Sequence, residues 1–221
     1  MATWVIGDIH GQYDALLQVL ERSGFDALRD GLICLGDLVD RGPRPFDCIL
    51  LLHDLPQLVC IRGNHDENFL HYIRTGIDGF MGRNGVQGTI DRWMTLAPSD
   101  KALVESFFGQ QRPWYKNEAG QLFTHGGFDP EAKLEDQDDR IFAWDRKLWE
   151  KALRFTGERL PLAEPCTRVF IGHTPTLNFE DNLPMLRAGI WNLDTGAAYP
   201  GGKLTMMNIE TEAYVQSDEI L

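Results

Sequence analysis

Gly36-Asp37-Leu38-Val39-Asp40-Arg41-Gly42 follows directly on the apolar run Leu32-Ile33-Cys34-Leu35. A short apolar run closed by glycine reads as a buried strand, and the polar residues after it then stand at the strand's carboxyl end. The same pattern recurs along the chain. Trp4-Val5-Ile6 leads into Gly7-Asp8-Ile9-His10-Gly11, and Leu58-Val59-Cys60-Ile61 leads through Arg62 into Gly63-Asn64-His65-Asp66. Leu122-Phe123-Thr124 leads into His125-Gly126-Gly127, and Arg168-Val169-Phe170-Ile171 into Gly172-His173-Thr174-Pro175. A further run, Ile190-Trp191-Asn192-Leu193, adds another strand.

Between the early runs lie helical spacings of three and four: Ala15, Leu16, Val19 and Leu20, then Phe46, Ile49, Leu50 and His53. Alternation of this kind predicts an α/β fold. Ser99 is the expected N-cap of a helix over Asp100 to Gln110, and Asp138 to Phe155 is expected to hold one longer helix. Leu204 to Ile209 and Ala213 to Val215 are expected to form a closing hairpin.

In α/β sheets the carboxyl ends of the strands border the ligand crevice, so the five polar clusters should converge. Their donors are Asp8, His10, Asp37, Asn64, His125 and His173, an oxygen and imidazole set without thiolate that suits manganese, iron or zinc. Six donors exceed the need of one ion. Two ions about 3.5–4 Å apart with a bridging carboxylate would use them all. Two divalent cations against two aspartates leave the site positive, a phosphate trap in a chain of net charge −12. Water held between such ions supplies hydroxide for in-line attack on phosphorus. The leaving oxygen then needs a proton. His65, beside Asn64, is placed to give it, Asp40 to hold that imidazole, and Arg41 to grip phosphoryl oxygens with a two-pronged donor.

These ordered motifs resemble those of the calcineurin-like metallophosphoesterases, and within them the bacterial and phage serine/threonine phosphoprotein phosphatases. The resemblance spans Ile6 to Gly196. It implies a β-sandwich flanked by helices with a dinuclear site at the strand ends. Asp8, His10 and Asp37 would hold the first ion, and Asp37, Asn64, His125 and His173 the second. Manganese is the foremost candidate metal, with iron or zinc as alternatives. The resemblance also makes Arg146, in Trp144-Asp145-Arg146, a second phosphate clamp. Asp66 and Gly126 depart from the commoner glutamate and alanine and receive no role. The long carboxy-terminal extension of the eukaryotic enzymes is absent, so no regulatory subunit is implied.

The expected activity is metal-dependent phosphomonoester hydrolysis on phosphoserine and phosphothreonine in proteins, with phosphotyrosine as an extension. The first alternative is a symmetrical dinucleoside tetraphosphate hydrolase or another nucleotide phosphoesterase; Asp40 speaks against it and Gly42-Pro43 for it. The second is a non-catalytic binding domain, against which every expected ligand and the proton donor are present. The partner is thus a phosphoprotein or a small phosphorylated substrate.

Composition narrows the remainder. With 221 residues and 43% hydrophobic content, the chain can bury one core, and a single domain over residues 1–221 is expected. No stretch nears the roughly 18 consecutive apolar residues of a membrane span. The opening residues reach Gly7-Asp8 too soon for a signal peptide, so the expectation is a cytoplasmic protein without a membrane partner. The acidic balance repels nucleic-acid backbone. The four cysteines form no Cys-x-x-Cys pair and are expected to be reduced thiols. His53 and His71 fall in helices without glycine neighbours and read as structural; the acidic run Glu131 to Asp139 reads as a solvated face. Substrate choice is expected from the rim, around Arg83-Asn84-Gly85 and Phe128 to Arg146. Trp114, Trp144 and Trp149 read as core or cleft residues.

Overall fold

The computed structural model describes residues 1–179 and 181–221. The first half alternates strand and helix: β1 (Thr3–Ile6), α1 (Tyr13–Ser23), β2 (Gly31–Cys34), α2 (Pro45–His53), β3 (Leu58–Cys60) and α3 (Asn64–Thr75). Two further helices follow, α4 (Val86–Thr95) and α5 (Pro98–Gln110). The second half contains β4 (Trp114–Lys116), β5 (Gln121–Thr124), α6 (Asp139–Trp144), α7 (Lys147–Arg154), β6 (Arg168–Ile171), β7 (Met185–Arg187) and β8 (Ile190–Asn192). It closes with the hairpin of β9 (Thr205–Asn208) and β10 (Tyr214–Gln216).

These strands form two sheets, in the orders β10-β9-β1-β2-β3 and β4-β5-β6-β8-β7. Each has three parallel neighbours, β1-β2-β3 in one and β5-β6-β8 in the other; the antiparallel strands lie on one side of the first, β9 and β10, and on both sides of the second, β4 and β7. The two-residue period of a strand explains how the layers assemble. Ile33 and Leu35 face one way and join Val5, Phe123, Phe170 and Met207 in a core between the sheets. Leu32 and Cys34 face the other way, into a cluster shared with α1, α2, α3 and α5. On the second sheet Val169 and Ile171 turn outward to Phe142, Leu148 and Trp149 of α6 and α7, while Phe170 turns inward and stacks on Phe123 at 4.9 Å. Both faces of each central strand are therefore buried, which is why these strands appear in the sequence as continuous apolar runs.

The α/β sandwich expected from the sequence is present, with three local corrections. Asp138 to Phe155 is two helices, because Asp145 is extended (ψ 137°) and its carboxylate accepts the Leu148 amide, capping α7. The helix expected after Ser99 begins at Pro98 with Ala97 before it. Proline at the first helical position has no amide to satisfy, and the Ser99 hydroxyl bonds Asp100 instead. The strands β4 and β7 were not anticipated. Each is three residues long and pairs antiparallel at the outside of its sheet. Among the described residues no helix is long and apolar enough to cross a membrane.

Candidate active site

The five strand-end clusters meet at one end of the sandwich. Their turns place side chains inward by unusual backbone geometry: His10, Asp37, Asp40, Arg41 and His173 all have positive φ, between 45° and 70°. Such conformations cost non-glycine residues of order 1–3 kcal/mol each, and their clustering here marks a site whose surroundings over-determine it. The neighbouring glycines leave room for the carboxylates. A Cβ on Gly63 would fall on the Asp37 side chain, and one on Gly172 on the Asp8 carboxylate.

Two donor groups form around Asp37. One comprises His10, Asp37 and His65; the other Asp37, His125 and His173; within each the ligand atoms lie within 4.8 Å of one another. His10 Nδ1 donates to the Val39 carbonyl and His125 Nδ1 to the Leu35 carbonyl, both at 2.8 Å. Each ring is thus oriented with Nε2 toward Asp37, at 3.5 Å and 3.3 Å. Asn64 Oδ1 lies 3.1 Å from His125 Nε2. Backbone-anchored imidazoles around a shared carboxylate are the supports a metal site uses. Asp8, expected beside His10, belongs to neither group. Its carboxylate accepts the His173 amide at 3.1 Å.

The electrostatics fit a cation pair. Burial and the charge of Asp194 push Asp8 well above the usual carboxylate range. Asp37 stays well below it despite burial, held by His125, His65 and His10. Burial holds His10 and His173 well below the usual imidazole range, so both are neutral donors. His125 runs the other way: against burial, the charges of Asp37 and Asp8 raise it to about 10. A buried set this rich in oxygen and imidazole donors, with one proton standing in for positive charge, suits divalent ions.

Within the first group His65 differs from the other imidazoles, because its Nδ1 lies 2.6 Å from Asp40 Oδ2, with both side chains buried. The carboxylate leaves the far ring nitrogen to face the cleft. His65 is the second residue of α3, so the helix amides favour an anion there. Arg41 lies over the Tyr199 ring and brings Nη1 within 2.9 Å of His10 Nε2. Arg146, in the break between α6 and α7, donates from Nη1 to the His173 carbonyl and the Thr174 hydroxyl, each at 2.9 Å. Both arginines border a cleft of about 480 Å³ that also exposes Asp37, Asn64, His65 and His173.

Several participants were not singled out from the sequence. Asp194 follows β8 as Asp37 follows β2, is buried, and is pushed up to about 6 by desolvation and by Asp37, against a hydrogen bond from the Gly196 amide. The strand-end rule that found the other clusters would have found it in Asp194-Thr195-Gly196. Phe80 and Tyr199 line the cleft from turns that carry no motif, and Asn178 from the 3-10 turn Thr176–Asn178 just after Pro175. Of the tryptophans, Trp149 is core, Trp114 packs against the same cluster, and Trp144 borders the cleft. Asp66 braces the turns behind the site, where its carboxylate accepts the Leu38 and Gly63 amides and the Gln111 side chain.

Comparison with known proteins agrees with this geometry. The family described as calcineurin-like phosphoesterase matches residues 1–209. A protein named serine/threonine-protein phosphatase 1, from Salmonella typhimurium strain LT2, is 29% identical over 214 residues, covering 94% of this chain and 91% of the relative. A symmetrical bis(5'-nucleosyl)-tetraphosphatase from Pseudomonas fluorescens strain SBW25 is 27% identical over 272 aligned positions, covering 96% and 92%. Among solved structures, one given provisionally as a diadenosine tetraphosphatase superposes with a TM-score of 0.72 at 19% identity, covering 97% of this chain and 91% of that one.

Proposed function

The chain belongs to the calcineurin-like phosphoesterase family, hydrolases of phosphoric esters, and from that premise we propose that it is a serine/threonine phosphoprotein phosphatase. The buried Asp40–His65 pair carries the reading: Asp40 engages one ring nitrogen of an imidazole that lies within reach of His10 and Asp37, and we take that imidazole as the proton donor rather than a ligand. Alkyl phosphates leave as poor alkoxides, and a positioned proton donor is what their hydrolysis needs most.

In this reading Asp8, His10 and Asp37 hold one ion, and Asp37, Asn64, His125 and His173 the other, with manganese the first metal to try. When bound, such ions screen phosphate charge and lower the pKa of water so that a nucleophile exists at neutral pH. The remaining roles fall to the chain itself. Arg41 and Arg146, which both line the cleft, orient phosphoryl oxygens. The amino end of α3 adds a favourable field. His65 passes a proton from its Nε2 to the leaving oxygen, and Asp40 holds the ring through Nδ1 and stabilises the charge that appears on protonation.

Alignment length supports a protein substrate. The Salmonella phosphatase aligns over 214 positions, close to this chain's length, whereas the Pseudomonas tetraphosphatase needs 272 positions, more than the 221 residues present. That second relative therefore carries segments this chain lacks. The dinucleotide reading keeps its own supports, Gly42-Pro43 in the second motif and the relatives named as symmetrical tetraphosphatases. A manganese-reconstituted assay with a phosphoserine peptide, a phosphotyrosine peptide, p-nitrophenyl phosphate and diadenosine tetraphosphate separates them. Higher kcat/KM for the phosphoserine peptide is the expected result. A higher value for the dinucleotide would replace this reading with the second.

A further inference from the structure

A second cavity, about 700 Å³, adjoins the catalytic cleft and shares Phe80 and Trp144 with it. Those two rings, 5.9 Å apart, form the ridge between them. What distinguishes this groove is its charge. Three arginines, Arg62, Arg74 and Arg140, line it in a protein of net charge −12.

Among the described residues only Arg140 of the three pairs with a carboxylate. Glu67 accepts the Trp144 indole N–H and pairs with Arg140 at 3.4 Å, which also fixes one side of the ridge. Arg62 comes from the end of β3; its Nη2 donates to the Gln111 carbonyl, and its buried Nε has no hydrogen-bond partner. Arg74, in the last turn of α3, is exposed and makes no ion pair among the described residues. Among the described residues Arg62 and Arg74 thus stand without counter-ions, although Asp and Glu outnumber Lys and Arg 33 to 21 in the sequence. A positive groove left open on an acidic surface attracts acidic partners and repels most others.

We propose that this groove docks an acidic segment of the phosphoprotein substrate, so that the enzyme selects phosphorylated residues flanked by Asp or Glu. The inference rests on the protein-phosphatase reading above. The phosphoryl group would occupy the cleft, the chain would cross the Phe80–Trp144 ridge, and its carboxylates would meet Arg74, Arg62 and Arg140. Planar guanidinium groups suit such recognition because each can grip a carboxylate with two parallel hydrogen bonds. The small substrate p-nitrophenyl phosphate fills only the cleft and does not sense the groove.

The test uses the manganese-loaded full chain and three phosphoserine peptides of equal length, with glutamate, neutral or lysine flanks. Binding of a fluorescein-labelled, non-phosphorylated glutamate peptide is followed in parallel by anisotropy. The acidic phosphopeptide should exceed the neutral one in kcat/KM by about tenfold, mainly through KM, and rising salt should erase the advantage. Arg74→Glu should abolish the preference and the anisotropy signal, Arg74→Lys should keep both, and neither should change p-nitrophenyl phosphate turnover. An acidic preference that is absent, or that survives Arg74→Glu, overturns the proposal. So does a rise in KM confined to diadenosine tetraphosphate, which would give the groove to a polyphosphate chain. If no phosphopeptide is turned over while p-nitrophenyl phosphate is, the protein-phosphatase reading fails. Anisotropy then decides the groove by itself, and absence of glutamate-peptide binding removes it.

Discussion

His65 and Asp40 offer the sharpest single-residue test, because their role differs from that of the donors a few ångströms away. His65→Asn should retain the metals, measured by elemental analysis, and lose about 10²–10⁴ in rate on alkyl phosphates. The loss on p-nitrophenyl phosphate, whose leaving group needs no proton, should be much smaller; equal losses would argue against proton donation. Asp40→Asn should show the same leaving-group dependence in weaker form. A second prediction concerns His125. With its pKa raised to about 10, it holds a proton at neutral pH in the ion-free chain and must lose it to become a ligand. Metal binding should therefore release about one proton from this residue, with affinity falling as pH falls. Calorimetry in two buffers of different ionisation enthalpy at pH 7.5 measures this, and a heat independent of buffer would contradict it. The convergence of these residues is legible in the sequence because chemistry restricts type: few side chains ligate metals or shuttle protons, and glycine next to each marks a tight turn. Asp194 went unnoticed although its local sequence has the same form. Tyr199 and Phe80 had no such marker, since an aromatic residue in a loop reads the same whether it borders a cleft or packs at random.

At the scale of elements, the glycines between strand and site separate space from flexibility. Gly172→Ala puts a methyl group against the Asp8 carboxylate, and an overpacked site of this kind costs about 1–3 kcal/mol. Gly88→Ala, within α4 with nothing inside 4 Å of the added carbon, should instead stabilise by about 0.5–1 kcal/mol. Urea unfolding of both variants checks the opposite signs, and destabilisation by Gly88→Ala would refute the helical account. The central strands could be read in advance because they are buried on both faces and so are apolar throughout. The strands β4 and β7 could not. Each has only three residues, half-buried for the most part, and owes its extended form to the next strand across a short turn. The break at Asp145 was hidden for a related reason: aspartate is as acceptable on a helix surface as at a cap, and only the Leu148 amide decides between them.

Across the whole molecule the donors divide between the two sheets, with Asp8, His10, Asp37 and Asn64 after strands of one and His125 and His173 after strands of the other. Ions bound there, as proposed, would bridge the layers. A ligand at 100 times its Kd adds about 2.7 kcal/mol to folding, or about 5–10 °C in Tm for a chain of this size. Chelation should lower Tm by that order and manganese should restore it; a Tm indifferent to both would place the ions elsewhere. The same division has a consequence during synthesis. The strand β1 is made first, yet one of its edges waits for β9, and Asp8 lies 165 residues before His173. At about 5–20 residues per second, a ribosome needs roughly 8–33 s to span that interval. Throughout it the growing chain shows an unpaired strand edge and incomplete corners of the site. Phosphate hydrolysis is therefore a property that nascent chains lack until translation has passed His173, whatever metal surrounds them.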